Sequence, residues 1–234
     1  MIKLRPDKER GVTKFPWLSS QHSFSFGDYH DPQYLNFRSL RVINEDVIAP
    51  AQGFGMHAHR DAEIFTYVVA GELQHKDSLG NGSIIRAGHF QYMSAGSGVQ
   101  HSEVNSSIYE DSHILQIWIL PSELGGAPRY AEANCDQLEL PENQLSLLFA
   151  GKSEDKKVIQ IRQDAKIYFG KLSQDKKISF EISPERFAWI QIIQGKLNCV
   201  GQVLDKGDGA AISQETKITF TGIEDTEFLC FDLA

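Results

Sequence analysis

The chain has 234 residues, a formal net charge of −8 and three cysteines, and 41% of its residues are hydrophobic. These values are typical of a globular protein with one large or two modest domains, able to bury a core without disulfides or a metal. The acidic balance and the lack of a Lys/Arg cluster argue against binding to a phosphate backbone. The run Ile114 to Leu120, which is apolar apart from Gln116, has seven residues, whereas a membrane span needs about 20.

The cysteines, Cys135, Cys199 and Cys230, are far apart and form no C-x-x-C pair. This spacing disfavours a disulfide framework and a thiolate zinc site, and it predicts buried, unreactive thiols in a reducing compartment. The N-terminal segment is charged where a signal peptide would be apolar. We therefore expect a cytoplasmic protein. We also expect it to be a monomer.

Short β-branched and aromatic runs, separated by Gly and Asn/Asp signals, predict an all-β fold. In the first half the predicted strands are Leu40–Ile43, Ile64–Ala70, Ser83–Arg86, Phe90–Met93 and His113–Leu120. In the second half they are Leu145–Phe149, Lys166–Leu172, Lys177–Ile182, Phe187–Ile193, Lys196–Val200, Ala210–Ile212, Lys217–Thr221 and Glu227–Leu233. A polar, loop-rich stretch over 121–157 indicates a junction between two domains.

The two halves resemble each other around their glycines. The stretch V-A-G-E-L around Gly71 is similar to I-Q-G-K-L around Gly195, and A-G-H around Gly88 is similar to K-G-D around Gly207. Both pairs indicate a strand, a glycine turn and another strand, so we predict a duplicated β-barrel unit.

All eight histidines lie in the first 113 residues, and the last 121 residues have none. Because residues i and i+2 of a strand share a face, His57 and His59 can direct two imidazoles at one point. His101 and Glu103 have the same spacing. Together the two pairs offer three nitrogens and one carboxylate, a donor set that suits Fe, Mn, Co, Ni, Cu or Zn. The alternative is a domain whose core histidines are satisfied by hydrogen bonds.

The segments that carry these residues resemble a known family. G-F-G-M-H-A-H, T-Y-V-V-A-G-E-L-Q-H-K-D-S-L-G-N-G and M-S-A-G-S-G-V-Q-H-S-E are similar to the pirin family within the cupin superfamily, particularly to its shorter bacterial members. The resemblance is dense over 20–121. It implies a bicupin: two tandem jelly-roll (double-stranded β-helix) barrels, 1–128 with a metal site and 129–234 without one.

The resemblance also implies the site residues. The metal ligands would be His57, His59, His101 and Glu103, and the ion would be divalent, with iron as the first expectation and nickel, copper, manganese, cobalt or zinc as alternatives. Cupins in general take their carboxylate from the first motif, which here would be Glu63. Strand parity and the pirin-like H-S-E sequence favour Glu103, so Glu63 is expected near the ligands or in the pocket.

A substrate pocket is expected beside this metal. We predict that its apolar wall and rim contain Phe54, Met56, Phe65, Tyr92 and Met93, with His75 in reach. Core packing is the alternative for each apolar residue. His22, His30 and His113 are expected to be structural or surface residues, and His89 lies where cupins often have a turn Asp.

The repeat predicts which positions of the second domain correspond to the ligands. Offsets from Gly195 place Glu181, Ser183 and Phe187 at the positions of His57, His59 and Glu63. Offsets from Gly207 place Phe220 and Gly222 at the positions of His101 and Glu103. The second domain is therefore expected to bind no metal.

Some pirin-like proteins are quercetin 2,3-dioxygenases, and the resemblance implies that activity here. Glu103 would take the proton of the flavonol 3-hydroxyl, and dioxygen would open the central ring with release of carbon monoxide. Two alternatives remain: a non-catalytic regulator whose metal state is read by a protein partner, or a cupin that acts on another enol.

Overall fold

The computed structural model describes residues 1–135 and 138–234. Within these ranges the chain forms 22 strands and one short 3-10 helix. The first elements are β1 (Ile2–Arg5), the 3-10 helix (Asp7–Glu9), β2 (Gly11–Phe15), β3 (Leu18–His22), β4 (Leu40–Ile48), β5 (Gly53–His59), β6 (Glu63–Ala70) and β7 (Glu72–Asp77). They are followed by β8 (Gly82–Arg86), β9 (His89–Ser94), β10 (Val99–Val104), β11 (Ser112–Ile119), β12 (Arg129–Asn134), β13 (Gln144–Ala150), β14 (Ile159–Gln160) and β15 (Ala165–Leu172). The last are β16 (Lys177–Glu181), β17 (Phe187–Gln194), β18 (Lys196–Cys199), β19 (Gln202–Asp205), β20 (Gly209–Ile212), β21 (Lys217–Gly222) and β22 (Thr226–Leu233).

The predicted all-β class is confirmed, and in the described ranges no helix is long and apolar enough to span a membrane. Most predicted strands match the observed ones to within two residues. The main differences are β4, which continues beyond Ile43 to Ile48, and the strands β1, β2, β3, β12, β14 and β19, which were not predicted. Both differences concern polar sequence, which hydrophobic periodicity does not detect.

The chain divides into two compact units, which we call the first unit (Gly11–Leu138) and the second unit (Met1–Arg10 with Glu139–Ala234). These borders differ from the predicted 1–128 and 129–234. The reason is edge pairing: β1 hydrogen-bonds to β20 of the second unit, and β12 hydrogen-bonds to β9 of the first. Neither edge strand has a strong apolar pattern of its own.

The first unit is a sandwich of two sheets. One has seven strands in the order β12-β9-β6-β11-β4-β3-β2, and the other has four in the order β5-β10-β7-β8. Leu73 and Ile85 of the smaller sheet pack on Ile48, Val68 and Ile114 of the larger one. Because each sheet keeps its own order, the unit is an open jelly-roll sandwich, and the expectation of a closed barrel is corrected.

The second unit has the same topology. Its seven-stranded sheet runs β1-β20-β17-β22-β15-β13-β14, and its four-stranded sheet runs β16-β21-β18-β19. Strands β4 to β11 thus correspond in order to β15 to β22. Gly71 and Gly195 have φ angles of 74° and 78°, and Gly88 and Gly207 have 81° and 83°. The predicted duplication is confirmed, since the matching glycines make the same left-handed turns.

The turn at Gly71 tolerates no side chain. A Cβ atom there would lie 2.5 Å from the carbonyl oxygen of Asp111, in addition to the positive φ. We expect Gly71→Ala to destabilise the protein by more than the roughly 1–2 kcal/mol that a left-handed conformation alone costs an L-residue. Urea unfolding followed by circular dichroism measures this loss.

Gly80→Ala is the matched control, because Gly80 also has a positive φ of 92° but nothing lies within 4 Å of its Cβ position. Gly82→Ala is a second control, because Gly82 has neither a positive φ nor a close backbone contact at its Cβ position. Equal losses for Gly71→Ala and Gly80→Ala would contradict a role for the close backbone approach.

Candidate metal centre and ligand cavity

Three imidazoles converge in the first unit. The ring centroids of His57, His59 and His101 lie 4.5 to 4.8 Å apart, and one nitrogen from each falls within 4.8 Å of the others. His57 and His59 are half-buried and His101 is fully buried. The structure therefore brings together the three histidines that the sequence singled out.

Two neighbouring strands of the four-stranded sheet position these rings. His57 and His59 lie on β5, and His101 lies directly opposite His57 on β10. The register shifts between His101 and Glu103, where two residues of β5, Gly55 and Met56, face one residue of β10. This β-bulge beside the histidines is of the kind that re-aims side chains near functional sites.

The ring nitrogens of this cluster are available to a metal. His57 Nδ1 lies 2.7 Å from the carbonyl oxygen of Gly55, so Nδ1 donates and Nε2 is the nitrogen left to face a metal. Neither ring nitrogen of His101 has a hydrogen-bond partner among the described residues. Burial and the neighbouring His57 lower the pKa of His59 to about 4, and burial lowers the pKa of His101 well below its usual value. Neutral imidazoles are metal ligands.

Glu103 is held between the two sheets. Gln116 Nε2 donates to Glu103 Oε2 at 2.7 Å, and the Thr66 hydroxyl donates to Oε1 at 3.0 Å. Burial raises the pKa of Glu103 to about 7, against the lowering effect of these two hydrogen bonds. Each oxygen keeps a second lone pair. Among the described residues, the His101 nitrogens have no hydrogen-bond partner and the buried Glu103 carboxyl has no cationic partner, a combination that fits a divalent metal ion.

His75 lies on the far side of Glu103 from the cavity. It is directly opposite Glu103 on β7, fully buried, and its ring stacks on Tyr130 at 4.9 Å. His75, His101 and Glu103 form a second group whose donor atoms lie within 4.8 Å of one another. His75 thus adjoins the metal group but does not line the cavity.

Glu63 is placed elsewhere. Its carboxylate accepts hydrogen bonds from Tyr92 Oη and Ser94 Oγ, both at 2.5 Å. On β6, Thr66 faces the space between the sheets, where it meets Glu103, so Glu63, an odd number of residues away, faces the opposite side. The expectation that Glu63 lies beside the ligands or in the pocket is therefore wrong.

A cavity of about 250 Å³ opens beside His57, His59 and Glu103. Its apolar lining is largely aromatic, and a polar side is formed by strands β2 to β4 and by Gln116. The other lining residues are Thr13, Phe15, Leu18, Ser20, His22, Phe26, Gly27, Asp28, Asn44, Asp46, Phe54, Gln116 and Trp118.

One of the five predicted apolar pocket residues, Phe54, lines this cavity. The rings of Phe65 and Tyr92 pack against each other in a tilted arrangement, with centroids 5.2 Å apart, on the face of the sheet that also carries Glu63. Met93 packs in a core cluster with Ile64, as the alternative of core packing had it. Met56 is 57% exposed at the bulge, which turns its side chain to solvent.

Sequence reasoning missed the polar side of the cavity. Ser20 and His22 on β3 lie directly opposite Asp46 and Asn44 on β4, and Asn44 lies opposite Gln116 on β11. His22 Nδ1 lies 2.8 Å from Asn44 Oδ1, and His22 Nε2 lies 2.9 Å from Thr13 Oγ1. Leu18, Ser20 and His22 share one face of β3. Because two of the three are polar, hydrophobic periodicity gives only a weak strand signal there. His113, in contrast, pairs with Glu45 at 2.8 Å as a structural residue.

The second unit fills the corresponding place with apolar side chains. Gly195 corresponds to Gly71, so Cys199 corresponds to His75, and Phe220, which lies opposite Cys199, corresponds to Glu103, which lies opposite His75. Two residues earlier on β21, Ile218 corresponds to His101, and Phe180, opposite Ile218, corresponds to His57. Ile218 is buried in the core cluster of that unit, and Phe180 packs against it. The predicted matches of Glu181 with His57 and of Phe220 with His101 are therefore wrong, because the connecting segments of the two units differ in length. Among the described residues, the second unit has no group of three metal-ligating side chains.

Replacing Glu103 and Glu63 one at a time separates the roles of the two candidate carboxylates. We expect Glu103→Gln to weaken the binding of Co²⁺ at least tenfold, because outer-shell partners alone cost 10–100-fold. We expect Glu63→Gln to leave Co²⁺ affinity unchanged and to lower stability, since Glu63 accepts two buried hydrogen bonds. Visible absorbance of bound Co²⁺ measures the affinity, and equal weakening by both variants would contradict the assignment.

Comparison with known proteins agrees with this geometry. The family model described as Pirin matches residues 4–119, and the model described as Quercetinase C-terminal cupin domain matches residues 148–233. A protein of Escherichia coli (strain K12) named quercetin 2,3-dioxygenase is 42% identical over 233 residues, covering 100% of this chain and 99% of the relative. A pirin-like protein of Caulobacter vibrioides is 37% identical over 234 residues, covering 100% of each. The crystal structure of the bacterial pirin YhhW from Escherichia coli in complex with nickel(II) matches with a TM-score of 0.94 at 42% identity, covering 100% of this chain and 99% of that one. The chain belongs to the pirin family.

Proposed function

We propose that this protein is a metal-dependent dioxygenase that opens the central ring of a flavonol such as quercetin. The observation that carries the proposal is the convergence of the imidazoles of His57, His59 and His101 beside an aromatic cavity, with the buried Glu103 carboxyl next to His101. The full-length relative from Escherichia coli that is named quercetin 2,3-dioxygenase supports the choice of reaction.

The proposed ligands are His57, His59, His101 and Glu103, and the ion is divalent. Iron is our first candidate, and nickel is the second because the YhhW structure holds it. A bound divalent ion supplies Lewis acidity, which lowers the pKa of a coordinated hydroxyl, and it orients the two reactants. The donor set of nitrogen and carboxylate oxygen is compatible with either metal.

Glu103 is the proposed base. Gln116 and Thr66 fix both of its oxygens, so the carboxyl has one orientation when the flavonol 3-hydroxyl arrives. With its pKa raised to about 7 by burial, Glu103 is close to the range in which a general base both accepts and releases a proton at neutral pH. It would hold the proton of the 3-hydroxyl while the anionic oxygen faces the metal group.

The cavity walls position the ring system. Phe54, Phe26 and Trp118 offer apolar surfaces to a flat aromatic molecule and exclude water from the reacting edge. The ring of Trp118 lies edge-on to that of His59, with centroids 4.8 Å apart, so the wall reaches the ligands directly. In the overall reaction both atoms of dioxygen enter the product, a depside, and carbon monoxide leaves.

A cytoplasmic location fits the cysteines. Cys135, Cys199 and Cys230 are free and buried, and burial raises the pKa of Cys199 to about 12 and that of Cys230 well above its usual value. Such thiols are unreactive, as the sequence predicted, and they are compatible with a reducing compartment.

The reaction can be tested directly with the protein loaded separately with iron, nickel, manganese and copper. We expect at least one form to consume quercetin in oxygen and to release one carbon monoxide for each flavonol lost. The double variant His57→Ala/His101→Ala should reduce the rate at least about a hundredfold, because it removes two ligands where outer-shell changes alone cost 10–100-fold. Flavonol absorbance and carbon monoxide are the two readouts, and turnover no faster than in the double variant would refute the proposal.

A further inference from the structure

Asp46 lies in the cavity lining, on the opposite sheet from the histidines. It belongs to β4 of the seven-stranded sheet, whereas His57, His59 and His101 belong to β5 and β10 of the four-stranded sheet. The Asp46 side chain is buried, with only 3% of the residue exposed. It is not part of either group of metal-ligating side chains.

The polar neighbours of Asp46 are hydrogen-bonded to other residues, whereas one of its two carboxyl oxygens is not. His22 is held between Thr13 and Asn44, and both oxygens of Glu103 accept from Thr66 and Gln116. Asp46 Oδ1, in contrast, has no hydrogen-bond partner in the part of the chain that the structure describes. A buried acceptor without a partner is costly, so a donor supplied by a bound ligand would be strongly favoured there.

The electrostatic surroundings agree with this geometry. Burial, together with the charges of Glu103 and Glu45, raises the pKa of Asp46 to about 7, although Ser20 donates a hydrogen bond to it. The cavity lining contains no Lys or Arg among the described residues. A ligand group that donates a hydrogen bond without carrying a charge, such as a phenolic hydroxyl, complements this carboxyl.

The aromatic walls restrict the shape of that ligand. Phe15, Phe26, Phe54 and Trp118 line the same space, so a flat ring system can lie between the metal group on one sheet and Asp46 on the other. A flavonol has this form, since its 3-hydroxyl and 4-keto oxygens form a chelating pair and its further hydroxyls lie elsewhere on the rings.

We propose that Asp46 is a specificity-determining residue that accepts a hydrogen bond from a phenolic hydroxyl outside the chelating pair of the ligand. The chemical class of the ligand rests on the proposed function, but the proposal concerns binding and not turnover. Asp46 thus selects polyhydroxylated flavonols over flavonols that carry the 3-hydroxyl alone.

The test compares two ligands on nickel-loaded protein without oxygen. Quercetin carries hydroxyls on both outer rings, and 3-hydroxyflavone keeps only the chelating pair. We expect Asp46→Ala to weaken quercetin binding about tenfold or more, as removal of a hydrogen bond to a charged group does, and to leave 3-hydroxyflavone binding within about twofold. Asp46→Asn keeps an uncharged acceptor of the same shape, so its loss should be smaller. Isothermal titration calorimetry gives both dissociation constants.

Glu45→Gln is the matched control, because Glu45 is the next residue on β4, also a carboxylate, and pairs with His113 on the other face. It should leave the ratio of the two affinities unchanged. Circular dichroism and nickel content verify the fold of each variant, and Asp46→Asn carries the test if Asp46→Ala does not fold.

An unchanged affinity ratio in the Asp46 variants, or equal losses for both ligands, would overturn the proposal, as would wild-type protein that binds quercetin no better than 3-hydroxyflavone. Admission of oxygen to these samples, and to the iron, manganese and copper forms, tests the reaction separately. Binding that depends on Asp46 without release of carbon monoxide by any of the four metal forms would refute the dioxygenase and leave the recognition site standing.

Discussion

The hydrogen bonds to Glu103 connect the two sheets of the first unit at the candidate metal centre. Glu103 lies on the four-stranded sheet, and its partners Gln116 and Thr66 lie on the seven-stranded sheet. In a sandwich of this kind the inner faces are normally joined by apolar contacts, as they are at Val68, Leu73 and Ile114. Here a buried carboxyl takes their place, which is tolerable only because both of its oxygens are satisfied. The position of the cavity and the orientation of the proposed base both follow from this contact.

The second unit shows the alternative solution for the same topology. Where the first unit places His57 opposite His101, the second places Phe180 opposite Ile218, and the surrounding core is apolar. Apolar packing needs no partner for each atom, whereas the first unit leaves His101 nitrogens without one in its described residues. The duplication therefore separates two tasks: the second unit is built for packing, and the first accepts the cost of burying polar groups at a site.

Polar side chains also define the cavity. His22, Asn44, Gln116 and Thr66 lie opposite one another in a row that crosses four strands of the larger sheet. Because neighbouring strands bring residues far apart in sequence into register, such a row is invisible to any local pattern. The N-terminal hairpin of β2 and β3 extends the row to Thr13, whose hydroxyl contacts His22. The hairpin has little apolar sequence, and it contributes to the ligand cavity through these polar residues.

The sequence by itself determined the β class, the duplication and the histidine cluster, because alternation of side chains and glycine turns are local properties. His57 and His59 share a face through a spacing of two, and no tertiary information is needed to state it. The tertiary structure decided the rest. Which carboxylate faces the histidines depended on the face of β6 and β10 that turns inward, and this placed Glu103 inside and Glu63 outside. The pocket depended on the bulge that exposes Met56 and on register across β3, β4 and β11, which brought Asp46 to the cavity. Contacts between distant strands are set by the packing of the whole sandwich, and short-range sequence patterns carry no information about them.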